Sequence, residues 1–170
     1  MKNKNIVDDI IKEINSETIH REYESEITKE YLIVDCQTRL IGIQIEYLRE
    51  VFDLKDDTSL SPIPFTPSYI LGVINVRSEI IPVLSLSEIL GIEETEFDLL
   101  KIVVIEQKFK IAFPLKRIID MKAIDVKGIR AIKDAAIKTE AQLISEEFDY
   151  NGKIVGALDI PKLFVSDFIL

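Results

Sequence analysis

The chain of 170 residues carries 21 Lys and Arg against 30 Asp and Glu, a formal net charge of −9, with one histidine, one cysteine, no tryptophan and 47% apolar residues. That length suits one domain, or two very small ones sharing a core. The acidic balance disfavours nucleic acid, lone Cys36 excludes an intrachain disulfide, and His20 alone leaves no ligand cluster for zinc.

No apolar run approaches the roughly 18 residues of a spanning helix, and Asp8 and Asp9 interrupt any signal-peptide core. A cytoplasmic protein without direct membrane insertion is therefore expected. In residues 1–30, Ile6, Val7, Ile10, Ile11 and Ile14 fall at helical spacing among polar residues and predict an amphipathic helix, laid either on the domain surface or in a partner's groove. His20 to Lys29 is dense in charge and reads as a connector.

From Tyr31 the period becomes that of strands: Tyr31 to Asp35, a polar turn Cys36 to Arg39, then Leu40 to Ile45 form a hairpin. Glu46 to Leu54 is ambiguous between a helical turn and a strand. Asp53 to Pro67 reads as a loop, since Pro62, Pro64 and Pro67 deny it a ladder. Gly72 to Val76 and Ile80 to Leu86 predict a second hairpin across Arg77-Ser78-Glu79. Pro82 belongs on an edge or at a bulge, and Ser85 or Ser87 can cap a short helix stopping at Gly91.

The chain then repeats itself. Tyr31–Val51 lies on Lys101–Met121 without a gap, matching Leu32-Ile33-Val34 to Ile102-Val103-Val104, and Ile80–Leu86 lies on Ile154–Ile160. Each copy is followed by a short helix, Ser87 to Leu90 and Pro161 to Phe164, and each is too small to bury a core alone, so the two should pack together. In the second copy Asp134 to Ile144 predicts a short helix and Asn151-Gly152 a two-residue hairpin turn pairing Glu147–Tyr150 with Lys153–Leu158. Asp159 caps a last helix over residues 161–170, with Leu163, Phe164, Phe168 and Ile169 as its apolar face.

Catalytic signatures are missing: no Gly-rich phosphate loop, no Gly-x-Ser-x-Gly elbow and no Cys/His pair to activate a nucleophile. The acids Asp53, Asp56 and Asp57, and Glu93, Glu94, Glu96 and Asp98, lack the alternating spacing and turn glycine of a calcium loop. A binding module without cofactor or metal is expected.

Asn75-Val76-Arg77-Ser78, Ile81-Pro82-Val83, Ser85-Leu86 and Leu90-Gly91 together resemble the signature of CheW-like domains. Tyr31–Val34, Gly42-Ile43, Leu48-Arg49-Glu50-Val51, Pro62-x-Pro64 and Tyr69–Gly72 extend that resemblance over most of residues 31–164. The resemblance implies a mainly β fold of two small five-stranded, SH3-like barrels packed together, one copy spanning about 31–92 and the other about 101–164. The extension 1–30 lies outside the CheW-like unit 31–170. It implies a non-enzymatic chemotaxis adaptor that binds the regulatory domain of the histidine kinase CheA and the hairpin tip of the chemoreceptor coiled coil, in arrays or rings beneath the membrane.

By position, the resemblance assigns Asn75, Val76 and Arg77 to the receptor, with Leu48, Ile102 and Val103 lining a groove between the barrels. It assigns Leu32, Ile45 and Val51 to CheA. Arg77 is also expected to pair with Glu50 and hold the hairpin against the first strand pair. Three departures stand out: Ser78 for the glycine of the turn, Ser85 for the acid before the helix, and basic Lys116-Arg117 where Asp-Gly is common. The alternatives are a CheW-like scaffold of another two-component pathway, a CheW domain cut from a CheV-like protein, and a small-ligand barrel or enzyme using the groove.

Overall fold

The structure, a computed structural model, describes residues 27–54, 60–92, 101–132 and 143–169. Eleven strands make up more than half of it: β1 (Thr28–Cys36), β2 (Arg39–Gln44), β3 (Leu48–Asp53), β4 (Ile70–Val76), β5 (Glu79–Leu84), β6 (Lys101–Glu106), β7 (Lys110–Leu115), β8 (Arg117–Asp125), β9 (Arg130–Ala131), β10 (Ile144–Tyr150) and β11 (Lys153–Leu158). Two single-turn helices, α1 (Leu86–Ile89) and α2 (Ile160–Leu163), complete the regular elements apart from short 3-10 turns.

The strands form two sheets, in the orders β8-β1-β2-β11-β10-β9 and β3-β6-β7-β5-β4. The repeat explains these orders. Its two offsets equate β1 with β6, β2 with β7, β3 with β8, β4 with β10 and β5 with β11, so without the two-residue β9 both sheets have the same order. The parallel pairs also correspond: β2 runs beside β11 at Gly42 and Ala157, and β5 beside β7 at Val83 and Ala112. Neither sheet is made from one copy, however. Each takes the opening hairpin of one copy and the remaining three strands of the other, so the sheets do not divide the chain into 31–92 and 101–164. A copy cut out alone would leave its first hairpin without the strands that complete its sheet.

Alternation along the strands sorts the buried residues into three cores. Tyr31, Ile33, Phe148, Val155 and Ala157 fill the six-stranded sheet, with the Tyr31 and Phe148 ring centroids 4.8 Å apart. Ile74, Ile81, Val83, Ile102, Val104 and Ala112 fill the five-stranded one. The largest core joins the sheets: Leu32, Val34 and Ile43 from one side meet Val103, Ile105 and Phe113 from the other, with Leu86, Ile89, Ile160 and Leu163 of the two helices. Tyr31–Val34 and Ile102–Ile105 are buried on both faces, which accounts for their unbroken apolar runs.

Several elements differ from expectation. β1 begins at Thr28, so the charged connector ends earlier than Lys29; the rest of the predicted N-terminal helix, through residue 26, lies outside the described residues. The predicted helix over 134–144 is likewise outside them up to residue 142, and Ile144 opens β10. The closing helix stops at Leu163, and residues 164–169 are turns. Phe168 nonetheless docks, its ring 5.0 Å from that of Tyr69. Pro82 lies in an interior strand: its partner Val73 gives both its N–H and its C=O to Ser61, at 2.9 Å each, so the missing proline donor faces β7. There the parallel register amounts to one matched pair, and little is lost.

Both helix caps follow from sequence. Ser85 Oγ accepts from Glu88 N at 3.2 Å, and its repeat counterpart Asp159 accepts from Lys162 N at 3.0 Å through Oδ1, with Pro161 in the first turn.

Candidate functional site: the tip of the β4–β5 hairpin

β4 and β5 meet across two residues, Arg77 and Ser78, with Val76 opposite Glu79. Both turn residues have positive φ, 50° and 70°. That is the two-residue turn whose twist matches a right-twisted hairpin, and it asks αL geometry of two side-chain-bearing residues. Asn75 braces it: its Oδ1 accepts from Ser78 N at 3.0 Å. The same device recurs in the other copy, where Asn151 and Gly152 have φ of 53° and 76° and Asp149 Oδ1 accepts from Gly152 N at 3.2 Å.

The turn carries Arg77 onto β3. Arg77 Nη2 lies 2.9 Å from Glu50 Oε1, with the Arg side chain 82% exposed. Because β3 and β4 are the two edges of their sheet, this contact shows that the sheet curls until its edges approach. At the matching place in the other sheet Tyr150 Oη donates to Asp120 Oδ2 at 2.8 Å. The tie therefore recurs with different chemistry: an exposed ion pair in one copy, a phenol on a carboxylate in the other. The phenol and the Met121 amide hold the Asp120 carboxyl below its ordinary range, and the carboxylate pushes the Tyr150 hydroxyl up.

Beside the pair on β3, Val51 is 38% exposed, while Leu48 and Ile45 are partly buried against the inter-sheet core. Asn75 is exposed and Val76 half-buried. Arg77, Glu50 and Asn75 thus form an accessible tip of charge and amide, while Val51, next to Glu50 on β3, faces the other side of the strand with Arg49 and Asp53.

Three expected site residues are not on it. Leu32, Ile102 and Val103 are 2%, 1% and 0% exposed. Val103 and Leu32 belong to the core between the sheets and Ile102 to the interior of the five-stranded sheet. At Leu32 and Val103 the space between the sheets is a packed core rather than an open groove, and Ile102 is enclosed within the five-stranded sheet.

A family model for the CheW-like domain matches residues 30–168. The chain belongs to the CheW-like domain family. Among its relatives, a chemotaxis protein CheW of Thermotoga maritima is 26% identical over 137 residues, 79% of this chain and 86% of its own length. A chemotaxis protein CheW of Rhizobium meliloti is 22% identical over 119 residues, 69% of this chain and 77% of its own. The scaffolding protein TtCheW of Thermoanaerobacter tengcongensis shares the fold, with a TM-score of 0.71 and 24% identity over 83% of this chain and 95% of that one.

Within this CheW-like domain the departures have structural consequences. Ser78 takes the left-handed conformation that glycine takes without cost, and the Asn75 brace offsets part of the strain. Ser85 keeps the cap. Arg117 of the basic edge lies with Nη2 2.8 Å from Asp35 Oδ2, so its charge is answered within the fold. Among the described residues no group of three or more His, Cys, Asp or Glu side chains is placed to hold a metal ion, and no helix is long and apolar enough to cross a membrane.

Proposed function

We propose that the chain is a non-enzymatic adaptor that couples chemoreceptors to the histidine kinase CheA. The observation that carries this reading is the match to the CheW-like domain over residues 30–168, joined to the accessible tip of Arg77, Glu50 and Asn75. Relatives named chemotaxis protein CheW support the pathway.

The proposed mechanism is positional. An amphipathic receptor helix sets its apolar anchors against Val76 and Leu48, and Arg77 at the rim supplies orientation and hydrogen bonds. Ile45, in the 3-10 turn before β3, and Val51 on β3 face the regulatory domain of CheA. Leu32, Ile102 and Val103 hold the strands that present both surfaces. Each contact is modest, and simultaneous engagement raises effective concentration; repetition in an array beneath the membrane supplies further avidity. The chain works in the cytoplasm in this account.

Co-sedimentation tests it. The full chain should carry CheA down with membranes bearing chemoreceptors. Arg77→Ala should lose the membranes and still bind CheA. Recovery of CheA with the membranes that does not depend on the chain would contradict the reading.

A further inference from the structure

The loop before β4 is built to show an apolar side chain to solvent. Between Leu60 and Phe65, three large apolar residues, Leu60, Ile63 and Phe65, are exposed, Phe65 completely. Phe65 also has a φ of 63°, a conformation that a bulky aromatic rarely adopts and that costs of order 1–2 kcal/mol. The loop is well fixed. Ser61 bridges Val73 through two backbone hydrogen bonds of 2.9 Å, Thr66 Oγ1 donates to Ile63 O at 2.9 Å, Ile70 N donates to Pro67 O at 3.0 Å, and Ser68 donates to Glu88 of α1. Pro62, Pro64 and Pro67 remove much of what remains of its freedom.

Elsewhere the exposed apolar residues of the strands stand singly beside charged neighbours: Ile80 next to Glu79, Met121 between Asp120 and Lys122, Ile154 after Lys153. Such scattered residues are ordinary. A strained, fully exposed aromatic on a braced loop with two apolar companions is not, and strain of this kind persists where a contact elsewhere compensates it.

The same chain carries an apolar stripe, Ile6, Val7, Ile10, Ile11 and Ile14, ahead of the point where the described structure begins at Ile27. Residues 15–26 between them extend to about 40 Å. A folded unit the size of residues 27–169 has a radius of gyration of about 15 Å, so the stripe can reach the loop. A tether of that length also presents the stripe at an effective concentration of order millimolar, above that of most outside partners.

We propose that the exposed loop Leu60–Phe65 is the seat of the chain's own N-terminal segment, which lays Ile6, Val7, Ile10, Ile11 and Ile14 over Ile63 and Phe65. This contact is independent of the adaptor role.

The chain holds no tryptophan, so Phe65→Trp in the full chain gives a single tryptophan at the seat, excited beyond the absorption of the five tyrosines. The expected result is blue-shifted emission, protected from acrylamide. Adding Ile10→Asp and Ile11→Asp should move it to the red and raise the quenching constant several-fold, with no change in the rest of the fold by circular dichroism. Ile63→Trp repeats the measurement in case tryptophan at position 65 disturbs the loop. Solvent-like emission at both positions in the full chain overturns the proposal, as does a blue shift that survives the aspartates. A blue shift that grows with protein concentration overturns it in favour of a second copy.

Discussion

Gly72→Ala probes the loop on which the β4 edge rests. Gly72 has a φ of 142°, and a Cβ built there overlaps the carbonyl oxygen of Ser61, sits 2.8 Å from its carbonyl carbon and 3.0 Å from Pro62 Cα. All three are backbone atoms, so no side chain can rotate away. Either the alanine keeps this φ at a cost of about 1–3 kcal/mol, or the loop retreats and breaks the two Ser61–Val73 hydrogen bonds, worth about 0.5–1.5 kcal/mol each. Both routes give a destabilisation of about 1–3 kcal/mol, which for a domain of this size lowers the melting temperature by about 2–12 °C. Urea melts of the full chain, wild type and variant, measure it, and amide exchange shows whether Val73 loses protection. A loss below about 0.5 kcal/mol with Val73 still protected would refute the reasoning, since the close approach would then not exist.

Ser78→Gly should stabilise the chain by about 0.5–1 kcal/mol, because relief of the left-handed strain outweighs the added freedom of the unfolded state; a lower urea midpoint would contradict the turn geometry. A double-mutant cycle on Glu50 and Arg77 should give a coupling below about 1 kcal/mol that shrinks with salt, as befits an ion pair with one largely exposed partner. A large, salt-independent coupling would mean the pair is buried by something else. For Asp120 the folded carboxyl titrates below its unfolded value of about 3.9, so its contribution is present above that pH and is lost as the pH falls through the folded value. The stability gap between wild type and Tyr150→Phe should therefore be constant near neutrality and close in acid; a gap independent of pH would show that the phenol does not act through the carboxylate.

The repeat was legible because strand periodicity and cap residues survive divergence: Ser85 and Asp159 differ in identity yet cap equivalent helices. Turn chemistry at Asn151-Gly152 was legible for the same reason. The exchange of hairpins between copies was not, because β1–β2 and β6–β7 carry equivalent patterns and either could complete either sheet. Nor could the accessibility of Leu32, Ile102 and Val103 be read: runs buried on both faces show no alternation to mark an outer side. The contact of Glu50 with Arg77 was foreseeable from charge and position, whereas the left-handed Phe65 left no trace in a proline-rich stretch that reads as an ordinary loop.

The adaptor account is tested most directly by titrating the full chain with the isolated CheA regulatory domain by calorimetry, beside Val51→Asp. Because Val51 is on the surface, the variant should keep the wild-type melting temperature. The account predicts micromolar or tighter binding by the wild type and its loss in Val51→Asp. No binding by the wild type, or equal binding by a folded Val51→Asp, would contradict it.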